Sequence, residues 1–461
     1  MKRQNAQSSL WSWYDMCDAL GLPQNDGPNV GGISFDSRQI QSGDLFVALP
    51  GDPGPRFKVA QRTDRDGHDF VEDAIQRGAV GALVHKPVDG NCPTLQVEDT
   101  IDGLWNLARY RRRQLTCPVV AVTGSSGKTT LKSFLAQALP AFSTKGSFNN
   151  YIGLPVSMAI TPLDAKAVVY EIGTNHEGEI AALSQLAMPD IAVVLNVLPV
   201  HIGFFPGMDA LTVEKFSIYQ GLTNNGILVC SQTLSANQHV PKRIRIETFG
   251  FDQSATVQVK HISNSTYSFT YDENQVEVRV PGGGKHRAET MAATATVLRA
   301  LNYPLSNLSN VSDSLPTGRG NIHDVNGAKI IDESYNANPA SMEAALQSLL
   351  DMPAAGRRIA VLGQMNELGD EGVKYHTALA KLASRADIVF CVGELMEHLY
   401  HNLGHGRQKF FFENVDQDLL TSLTDLVQAG DTVLVKGSHS FFWEVNFIQH
   451  FVEALKRNDC N

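Results

Sequence analysis

Cysteine is scarce in this sequence and follows no pattern. Its six cysteines are scattered along the chain, and none pairs with another in a C-x-x-C motif. Disulfide-rich secreted domains and zinc sites both depend on regularly spaced cysteines. The composition therefore argues against both classes and favours a cytosolic enzyme with reduced thiols.

Long apolar runs are also missing. No stretch approaches the roughly 18 consecutive apolar residues of a membrane-spanning helix. The first 20 residues are polar and then amphipathic, without the continuous apolar core of a signal peptide. We therefore expect a cytoplasmic protein with no membrane span.

The sequence lacks an excess of positive charge. It has 38 Lys and Arg against 48 Asp and Glu, a net charge of −10. A general binder of nucleic acid or of anionic membranes would be basic. We therefore expect no nucleic-acid partner. Small-molecule substrates and a monomeric state are further expectations.

What is present is alternating strand and helix over 461 residues, a length that corresponds to roughly three domains. Residues 1–115 read as a small α/β domain, 116–315 as a central domain with a parallel sheet, and 316–461 as a third, Rossmann-like α/β domain. Buried apolar strands that alternate with helices predict parallel sheets covered on both faces. The fold class is therefore α/β, with a central P-loop ATPase domain flanked by two others.

The clearest motif is a strand followed by a glycine loop and a helix. The apolar run 119–122 leads into Thr123-Gly124-Ser125-Ser126-Gly127-Lys128-Thr129-Thr130, and a helical pattern follows. Such a loop turns backbone N–H groups toward a polyphosphate, and the helix dipole adds to the attraction. Lys128 can reach the β/γ-phosphates and the Thr129 hydroxyl can ligate Mg²⁺. Val122 stands where the usual motif has its first glycine, so this loop is shorter than most.

Polar residues follow two further strands of the central domain. Glu171 ends the strand 167–172, and His201 follows the strand 191–197. Ligands of parallel sheets bind beyond the carboxyl ends of the strands. The two residues are therefore candidate Mg²⁺ ligands, His201 the less expected because Mg²⁺ prefers oxygen.

A basic run, Arg109-Tyr110-Arg111-Arg112-Arg113, ends a helix predicted over 100–114. It could form a phosphate-binding patch. A solvated helix end, stabilised by the helix dipole, is the interpretation we favour.

Several segments resemble the ATP-dependent Mur ligases of peptidoglycan synthesis over nearly the whole chain. The loop 123–130 is similar to the family's short phosphate loop. Residues 146–155 are similar to its N-x-x-x-G-x-P segment, and residues 171–180 to its E-M-G-T-N-H-x-G-E-I segment. The most specific match is Asp332-Glu333-Ser334-Tyr335-Asn336-Ala337-Asn338-Pro339, which resembles the D-D-S-Y-N-A-N-P of the branch that adds a dipeptide.

Shorter matches extend the resemblance. The family's UDP-binding domain is resembled by Asp36-Ser37-Arg38, Gly43–Phe46 and Asp66–Phe70. Its G-x-H segment is similar to Gly284-Lys285-His286, and its linker arginine corresponds to Arg319 in Gly318-Arg319-Gly320. Its closing K-G-S is similar to Lys436-Gly437-Ser438.

The resemblance implies an activity and its reactants. The enzyme would use ATP and Mg²⁺ to join D-alanyl-D-alanine to UDP-N-acetylmuramoyl-tripeptide through an acyl phosphate. ATP would be bound by Gly124, Ser125, Ser126, Gly127, Lys128, Thr129, Thr130, His286, Arg319, Asp332 and Asn338. The UDP-linked substrate would be bound by Ser37, Arg38, Asp66, Gly67, His68, Asn149, Thr174, Asn175 and His176.

The remaining implied roles concern the dipeptide, the metal and catalysis. The dipeptide would be bound by Ser334, Tyr335 and Asn336. Mg²⁺ would be held by Thr129, Glu171, His201 and, once carbamylated, Lys215. The catalytic residues would be Lys128, Lys215 and His201.

Outside the matched segments, four departures from the family pattern stand out. Arg287 and Thr290 stand where the family usually has Asn, His439 where it has Arg, and Gln364 where it often has Asp. These departures leave open a paralogous ligase that joins a different acid and amine. The other alternative is a non-catalytic nucleotide-binding protein. In such a protein the candidate metal ligands, all of which are present, would have no catalytic function.

Overall fold

The computed structural model describes residues 9–54, 65–144, 146–200, 202–236, 239–312, 314–352, 355–404, 406 and 408–458. The helices it contains are α1 (Trp13–Leu20), α2 (Val71–Gln76), α3 (Thr100–Gln114), α4 (Lys128–Ala138), α5 (Gly153–Ala159), α6 (Glu179–Ala187), α7 (Met208–Phe216), α8 (Lys285–Ala300), α9 (Pro339–Asp351), α10 (Gly372–Ala378), α11 (Ala380–Ala383), α12 (Met396–Asn402), α13 (Gln417–Leu426), α14 (His439–Phe442) and α15 (Phe447–Asn458).

The strands alternate with these helices along much of the chain. They are β1 (Gly32–Ser34), β2 (Asp44–Val47), β3 (Gly81–Val84), β4 (Thr94–Gln96), β5 (Val119–Thr123), β6 (Val168–Glu171), β7 (Ile191–Val194), β8 (Ile227–Ser231), β9 (Arg245–Gly250), β10 (Val257–Ser263), β11 (Thr266–Tyr271), β12 (Asn274–Arg279), β13 (Asn321–Val325), β14 (Ala328–Glu333), β15 (Arg358–Gly363), β16 (Ile388–Val392), β17 (Gln408–Phe412) and β18 (Thr432–Lys436).

The strands fall into sheets that are mainly parallel. Their strand orders are β1-β2-β3-β4, β12-β11-β10-β9-β8-β7-β5-β6 and β13-β14-β18-β15-β16-β17. The prediction of an α/β fold with parallel sheets is confirmed. The domain boundaries near residues 115 and 315 stay a prediction.

The chain divides into two compact units. The first comprises residues 1–123, 139–192 and 217–228, and the second comprises residues 124–138, 193–216 and 229–461.

In the first unit, the N-terminal sheet is parallel throughout, with β2 between β1 and β3, and β3 next to β4. The helix predicted over 100–114 is confirmed as α3. Asp99 caps its first turn, because its Oδ1 accepts hydrogen bonds from the N–H groups of Ile101 at 2.7 Å and Asp102 at 3.0 Å.

The basic run at the end of α3 differs from the prediction. Arg109 and Arg113 are exposed, but Arg111 is only 1% exposed. Its guanidinium lies 4.2 Å from the centre of the Trp11 ring, and its Nη2 donates to the Leu10 carbonyl at 2.7 Å. Burial lowers the pKa of Arg111 to about 10. The interpretation as a solvated helix end is therefore wrong for Arg111, which packs in the interior of its unit.

The second unit contains β9–β12, where sequence reasoning predicted no strand. The pairs β10–β11 and β11–β12 are antiparallel. In β10 and β12, exposed polar residues interrupt the apolar ones, so these two strands lack the continuous apolar runs that identify buried strands. In the last sheet, four neighbouring strand pairs are parallel: β14 with β18, β18 with β15, β15 with β16, and β16 with β17. The strand β13 joins β14 in an antiparallel hairpin.

No helix in the described part of the chain is long and apolar enough to cross a membrane. Residues 51–65 are rich in Gly, Pro and charge, a composition that predicts an exposed loop, and most of this segment lies outside the described residues.

Candidate active site

The glycine loop follows β5 as predicted, and α4 begins at Lys128. Gly127 has a φ of +80°, a left-handed conformation that favours glycine over other residues. A Cβ atom at this position would come within 2.9 Å of Leu195 Cδ2. Lys128 Nζ donates to the Gly124 carbonyl at 2.8 Å, so the lysine folds back over its own loop.

Asn196 braces this loop, a role that sequence reasoning missed. Its Oδ1 accepts the N–H groups of Ser125 at 3.0 Å and Ser126 at 2.9 Å, and its Nδ2 donates to the Ser126 carbonyl at 3.0 Å. Two N–H groups of the loop therefore face a side-chain amide. The available signal was position, since Asn196 is a polar residue just beyond the end of β7.

Arg319 connects the glycine loop to the segment 332–339 within the second unit. Its Nη2 donates to Thr129 Oγ1 at 3.3 Å. Its guanidinium also lies 3.6 Å from the centre of the Tyr335 ring, a cation–π arrangement. The structure thus brings together three residues that were predicted to contact ATP or the dipeptide.

The segment 332–339 is held mainly by its own side chains. Asp332 is 2% exposed, and its carboxylate accepts from the Ser334 hydroxyl at 2.5 Å and from the Gly318 N–H at 3.2 Å. Asn338 caps α9 by accepting the Ser341 N–H at 2.9 Å. Asn336 is exposed. In this conformation Asp332, Ser334 and Asn338 therefore shape the backbone around Tyr335.

A buried charged cluster lies at the start of α8. Arg287 is paired with Glu333, and Lys436 Nζ lies 3.5 Å from the second oxygen of the same carboxylate. Burial by itself raises the pKa of Glu333, but the charges of Arg287 and Lys436 outweigh burial and hold that pKa below its ordinary value. Glu333 therefore stays ionised between two cations.

His286, a predicted ATP contact, lies beside this cluster. Burial, followed by the charge of Arg287, lowers the pKa of His286 to about 3. The imidazole is therefore neutral at physiological pH. It is suited to accept or donate a neutral hydrogen bond and not to attract phosphate by charge.

The pKa of His286 predicts a component of acid sensitivity. Unfolded histidine titrates near pH 6.5, so between about pH 6.5 and pH 3 the unfolded chain binds a proton that the folded chain does not. The free energy of unfolding should therefore decrease as the pH is lowered from about 6.5 to 3, by at most about 1.4 kcal/mol per pH unit from this residue. Urea unfolding of the wild type and of His286→Gln between pH 4 and 8 measures the effect. Parallel acid slopes for the two proteins would contradict the assignment.

Lys215 and its neighbour Glu214 lie on α7 and are buried, at 1% and 4% exposure. The prediction for a lysine on a helix surface would be an exposed ammonium group. Lys215 is instead buried, so it is not a solvated surface lysine.

Glu171 ends β6 in the first unit and is 3% exposed. Its Oε1 accepts from Asn149 Nδ2 at 2.8 Å, and the Asn149 carbonyl accepts the Gly173 N–H at 2.7 Å. A side chain at Gly173 would collide with Asn149, because a Cβ atom there would lie 2.9 Å from Asn149 Cγ. Two segments predicted from separate motifs are thus in direct contact.

The loop after Glu171 is fixed by Glu179, which was not among the predicted site residues. Glu179 Oε2 accepts the Asn175 N–H at 2.7 Å, the His176 N–H at 3.1 Å and the Thr174 hydroxyl at 3.0 Å. The available signal was that Glu179 matches the second Glu of the family's E-M-G-T-N-H-x-G-E-I segment.

Near the N-terminus, Arg38 is held by a carboxylate. Asp36 accepts from Arg38 Nε at 2.9 Å and Nη2 at 2.8 Å, and these hydrogen bonds lower the pKa of Asp36. Ser37 is buried and Arg38 is exposed. The exposed guanidinium is available to a ligand, whereas Ser37 is covered.

A second N-terminal motif forms a closed hydrogen-bond network. Asp66 lies 2.6 Å from His68 Nδ1 and 2.6 Å from Lys86 Nζ, and His68 Nε2 accepts the His85 N–H at 3.0 Å. The potential ligand atoms of Asp66, His68 and His85 lie within 4.8 Å of one another, a spacing compatible with a metal ion. Both ring nitrogens of His68 already have partners, however, so the network serves to order the loop that contains Gly67.

Among the predicted site residues, His201 lies outside the described residues. The remaining residues are divided between the two units. The second unit contains residues 124–130 of the glycine loop, Lys215, His286, Arg319 and the segment 332–339. The first unit contains Glu171 and the predicted contacts of the UDP-linked substrate.

Comparison with known proteins identifies the family. Residues 122–298 match the Mur ligase middle domain, and residues 318–439 match the Mur ligase glutamate ligase domain. The UDP-N-acetylmuramoyl-tripeptide–D-alanyl-D-alanine ligase of Escherichia coli is 32% identical over 448 residues, which cover 92% of this chain and 94% of that protein. The protein of the same name from Bacillus subtilis is 30% identical and matches 94% of this chain and 96% of its own length.

The chain belongs to the MurF family of Mur ligases.

Solved MurF structures agree in fold. A crystal structure of MurF from Acinetobacter baumannii superposes with a TM-score of 0.81 at 29% identity, covering 96% of this chain and 99% of that one. The MurF ligase of Thermotoga maritima in complex with ADP gives a TM-score of 0.77 at 27% identity, over 93% and 98% of the two chains. The match to the three-domain Mur ligase fold confirms the predicted fold class and family, and this protein is a ligase.

The departures from the MurF pattern have structural partners. Gln364 Oε1 accepts the Leu395 N–H at 2.9 Å. His439 Nδ1 lies 3.1 Å from Glu444 Oε1, and its ring centre lies 5.2 Å from that of Tyr335. Thr290 Oγ1 donates to the His286 carbonyl at 3.1 Å. Each substitution is integrated into the fold, and the matches over nearly the full length do not favour the paralogous alternative.

Proposed function

We propose that this MurF-family ligase joins D-alanyl-D-alanine to UDP-N-acetylmuramoyl-tripeptide at the expense of ATP. The observation that carries the proposal is the position of Arg319. Within one compact unit it contacts Thr129 of the phosphate loop and Tyr335 of the segment that distinguishes the dipeptide-adding branch. A cation at that point can contact the phosphates of ATP and keep the two segments in register.

The chemistry explains why such a cation is needed. A carboxylate does not react with an amine at neutral pH, so the tripeptide carboxylate first attacks the γ-phosphorus of ATP. The bond from that phosphorus to the β,γ-bridging oxygen breaks, ADP leaves and an acyl phosphate forms. The dipeptide amine then attacks the acyl carbon, a proton is lost from nitrogen, and phosphate departs.

Lys128 and Arg319 act on the first of these steps. Two anionic groups must approach each other, and positive side chains offset their repulsion and the charge that develops on the transferred phosphoryl group. In the structure Lys128 is retained by the Gly124 carbonyl, a hydrogen bond that a phosphate oxygen can replace. No protein nucleophile is required for either step.

The donor set of this chain fits Mg²⁺. Thr129 offers a hydroxyl and Glu171 a carboxylate, and hard oxygen ligands of this kind are those that Mg²⁺ prefers. A carbamylated Lys215 would add a second carboxylate, and His201 is the remaining candidate ligand. Mg²⁺ would neutralise phosphate charge during transfer.

The UDP-linked substrate is assigned to the N-terminal domain through Arg38 and the loop that contains Gly67, and to the segments at Asn149 and 174–176. Asp66 and His68 contribute by ordering their loop. We propose that the protein acts on small-molecule substrates as a cytoplasmic monomer.

Product formation from purified protein tests the proposal. Incubation with ATP, Mg²⁺, UDP-N-acetylmuramoyl-tripeptide and D-alanyl-D-alanine should release one phosphate per UDP-linked pentapeptide formed, as measured by a phosphate assay and mass spectrometry. Replacing the dipeptide by L-alanyl-L-alanine is the matched control, and we expect it to reduce the rate at least about tenfold, the loss expected when one well-placed contact is missing. Absence of product with the lysine and the diaminopimelate forms of the tripeptide would refute the assignment.

A further inference from the structure

Arg287 occupies a position where the family usually has an uncharged residue, and it is almost fully buried. Its exposure is 6%, and it lies in the first turn of α8. Burying a guanidinium is costly unless its donors have partners. The side chain therefore needs a compensating environment, and the structure provides one.

The partners of Arg287 come from three separate segments of the second unit. Its Nη1 donates to the Gly282 carbonyl at 2.8 Å, and its Nη2 donates to the Arg319 carbonyl at 3.2 Å. The same Nη2 is paired with Glu333, the residue that replaces the second Asp of the family's D-D-S-Y-N-A-N-P. One side chain thus connects the loop before α8, the turn that contains Arg319 and the end of β14.

Two glycines make room for this guanidinium. A Cβ atom at Gly320 would lie 2.0 Å from Arg287 Nη2, and one at Gly282 would lie 2.6 Å from Nη1. Gly320 flanks Arg319, so the backbone around Arg319 is built against Arg287. Any displacement of Arg287 would therefore be transmitted to Arg319.

We propose that the Arg287–Glu333 pair is a positioning device of this particular ligase, which holds the Arg319 backbone so that its guanidinium lies against Thr129 and Tyr335. Arg287 touches no reacting atom in this arrangement. It acts through Arg319, whose own contact with ATP rests on the proposed function. Lys436 supports the pair, since its Nζ lies 3.5 Å from Glu333 Oε2 and donates to the Asn336 carbonyl at 2.9 Å.

The helix α8 itself offers a matched control. Arg299, about three turns further along, forms an ion pair with the buried carboxylate of Glu247 at 2.7 Å. Removing it also breaks an ion pair on the same helix, in which the carboxylate is buried and the guanidinium is 26% exposed. The ion pairs of Arg299 within the described residues involve none of the predicted ATP contacts. Arg287→Met and Arg299→Met should both lower the melting temperature, and only the first should affect nucleotide binding.

The test measures ADP affinity in the presence of Mg²⁺ by calorimetry on the full-length protein, together with the KM for each substrate. We expect Arg287→Met to weaken ADP binding and raise the KM for ATP by at least about tenfold, the effect of losing one charge-assisted hydrogen-bond network. The KM for the UDP-linked substrate should stay within about twofold. Arg287→Lys should recover part of the loss, and Arg299→Met should bind ADP within about twofold of the wild type.

A second pair of variants guards against misfolding of Arg287→Met. Glu333→Gln keeps the size of the side chain and removes its charge. We expect both Glu333→Gln and Arg287→Lys to weaken ADP binding, and Glu333→Gln to weaken it more. Unchanged ADP affinity in both Arg287→Lys and Glu333→Gln, or equal weakening in Arg299→Met, would overturn the proposal. Because ADP binding needs neither peptide substrate, these outcomes are independent of whether the wild type makes the pentapeptide.

Discussion

Replacing Lys128 by alanine should reduce ligation about a thousandfold or more while the protein stays folded. The side chain is a cation of the loop that would hold the phosphates, and preorganised charges of this kind contribute about two to three orders of magnitude each to phosphoryl and acyl transfer. Its hydrogen bond to the Gly124 carbonyl is of a kind that stabilises a fold by only about 1 kcal/mol. A coupled assay for ADP release measures the rate, and thermal unfolding measures the fold.

Lys381→Ala serves as the control for Lys128→Ala, since Lys381 is an exposed lysine on α11. It should match the wild type in both measurements. ADP release by Lys128→Ala at the wild-type rate would disprove the phosphate assignment of the loop.

Removal of Lys215 should have the second largest effect, a loss of about a hundredfold or more, and it should be partly reversible by added carboxylate. A lysine that is 1% exposed is costly to bury as an ammonium ion. Addition of CO₂ to the neutral amine releases a proton and gives a carbamate, a carboxylate that can coordinate Mg²⁺. In Lys215→Ala a small acid such as acetate can enter the vacated volume and replace that carboxylate.

Acetate titration of Lys215→Ala and of Lys128→Ala distinguishes this effect from general stimulation by salt. Acetate should restore activity in the first variant and not in the second. The carbamate assignment would be wrong if acetate and formate both failed to restore activity, or if Lys215→Met retained the wild-type rate.

Contacts local in sequence were predictable, because they follow from short patterns. The strand, glycine loop and helix that surround Lys128 lie where the sequence predicts them. The helix α3 begins at its predicted residue because Asp99 caps its first turn. Asn196 was missed since it lies about seventy residues from the loop it braces, and nothing in its neighbourhood indicates that partner.

Charged residues were the harder class to predict. Arg111 belongs to a basic run that looks solvated, yet Trp11 and the Leu10 carbonyl enclose it. From the sequence, Arg287 is a departure that leaves a different acid and amine open, whereas in the structure Glu333, Gly282 and Gly320 accommodate its guanidinium. In both examples the decisive partner comes from a distant segment, so local sequence cannot reveal whether the charge is compensated.

The antiparallel strand β12 has a consequence for behaviour at high concentration. It lies at the end of its sheet, and Gln275, Glu277 and Arg279 project exposed polar or charged groups from alternate positions. A strand edge of flat, apolar character would pair with the same edge of a neighbouring molecule and lead to aggregation. Here such pairing would juxtapose and desolvate charged side chains, so β12 ends the sheet in a form that resists growth into fibres.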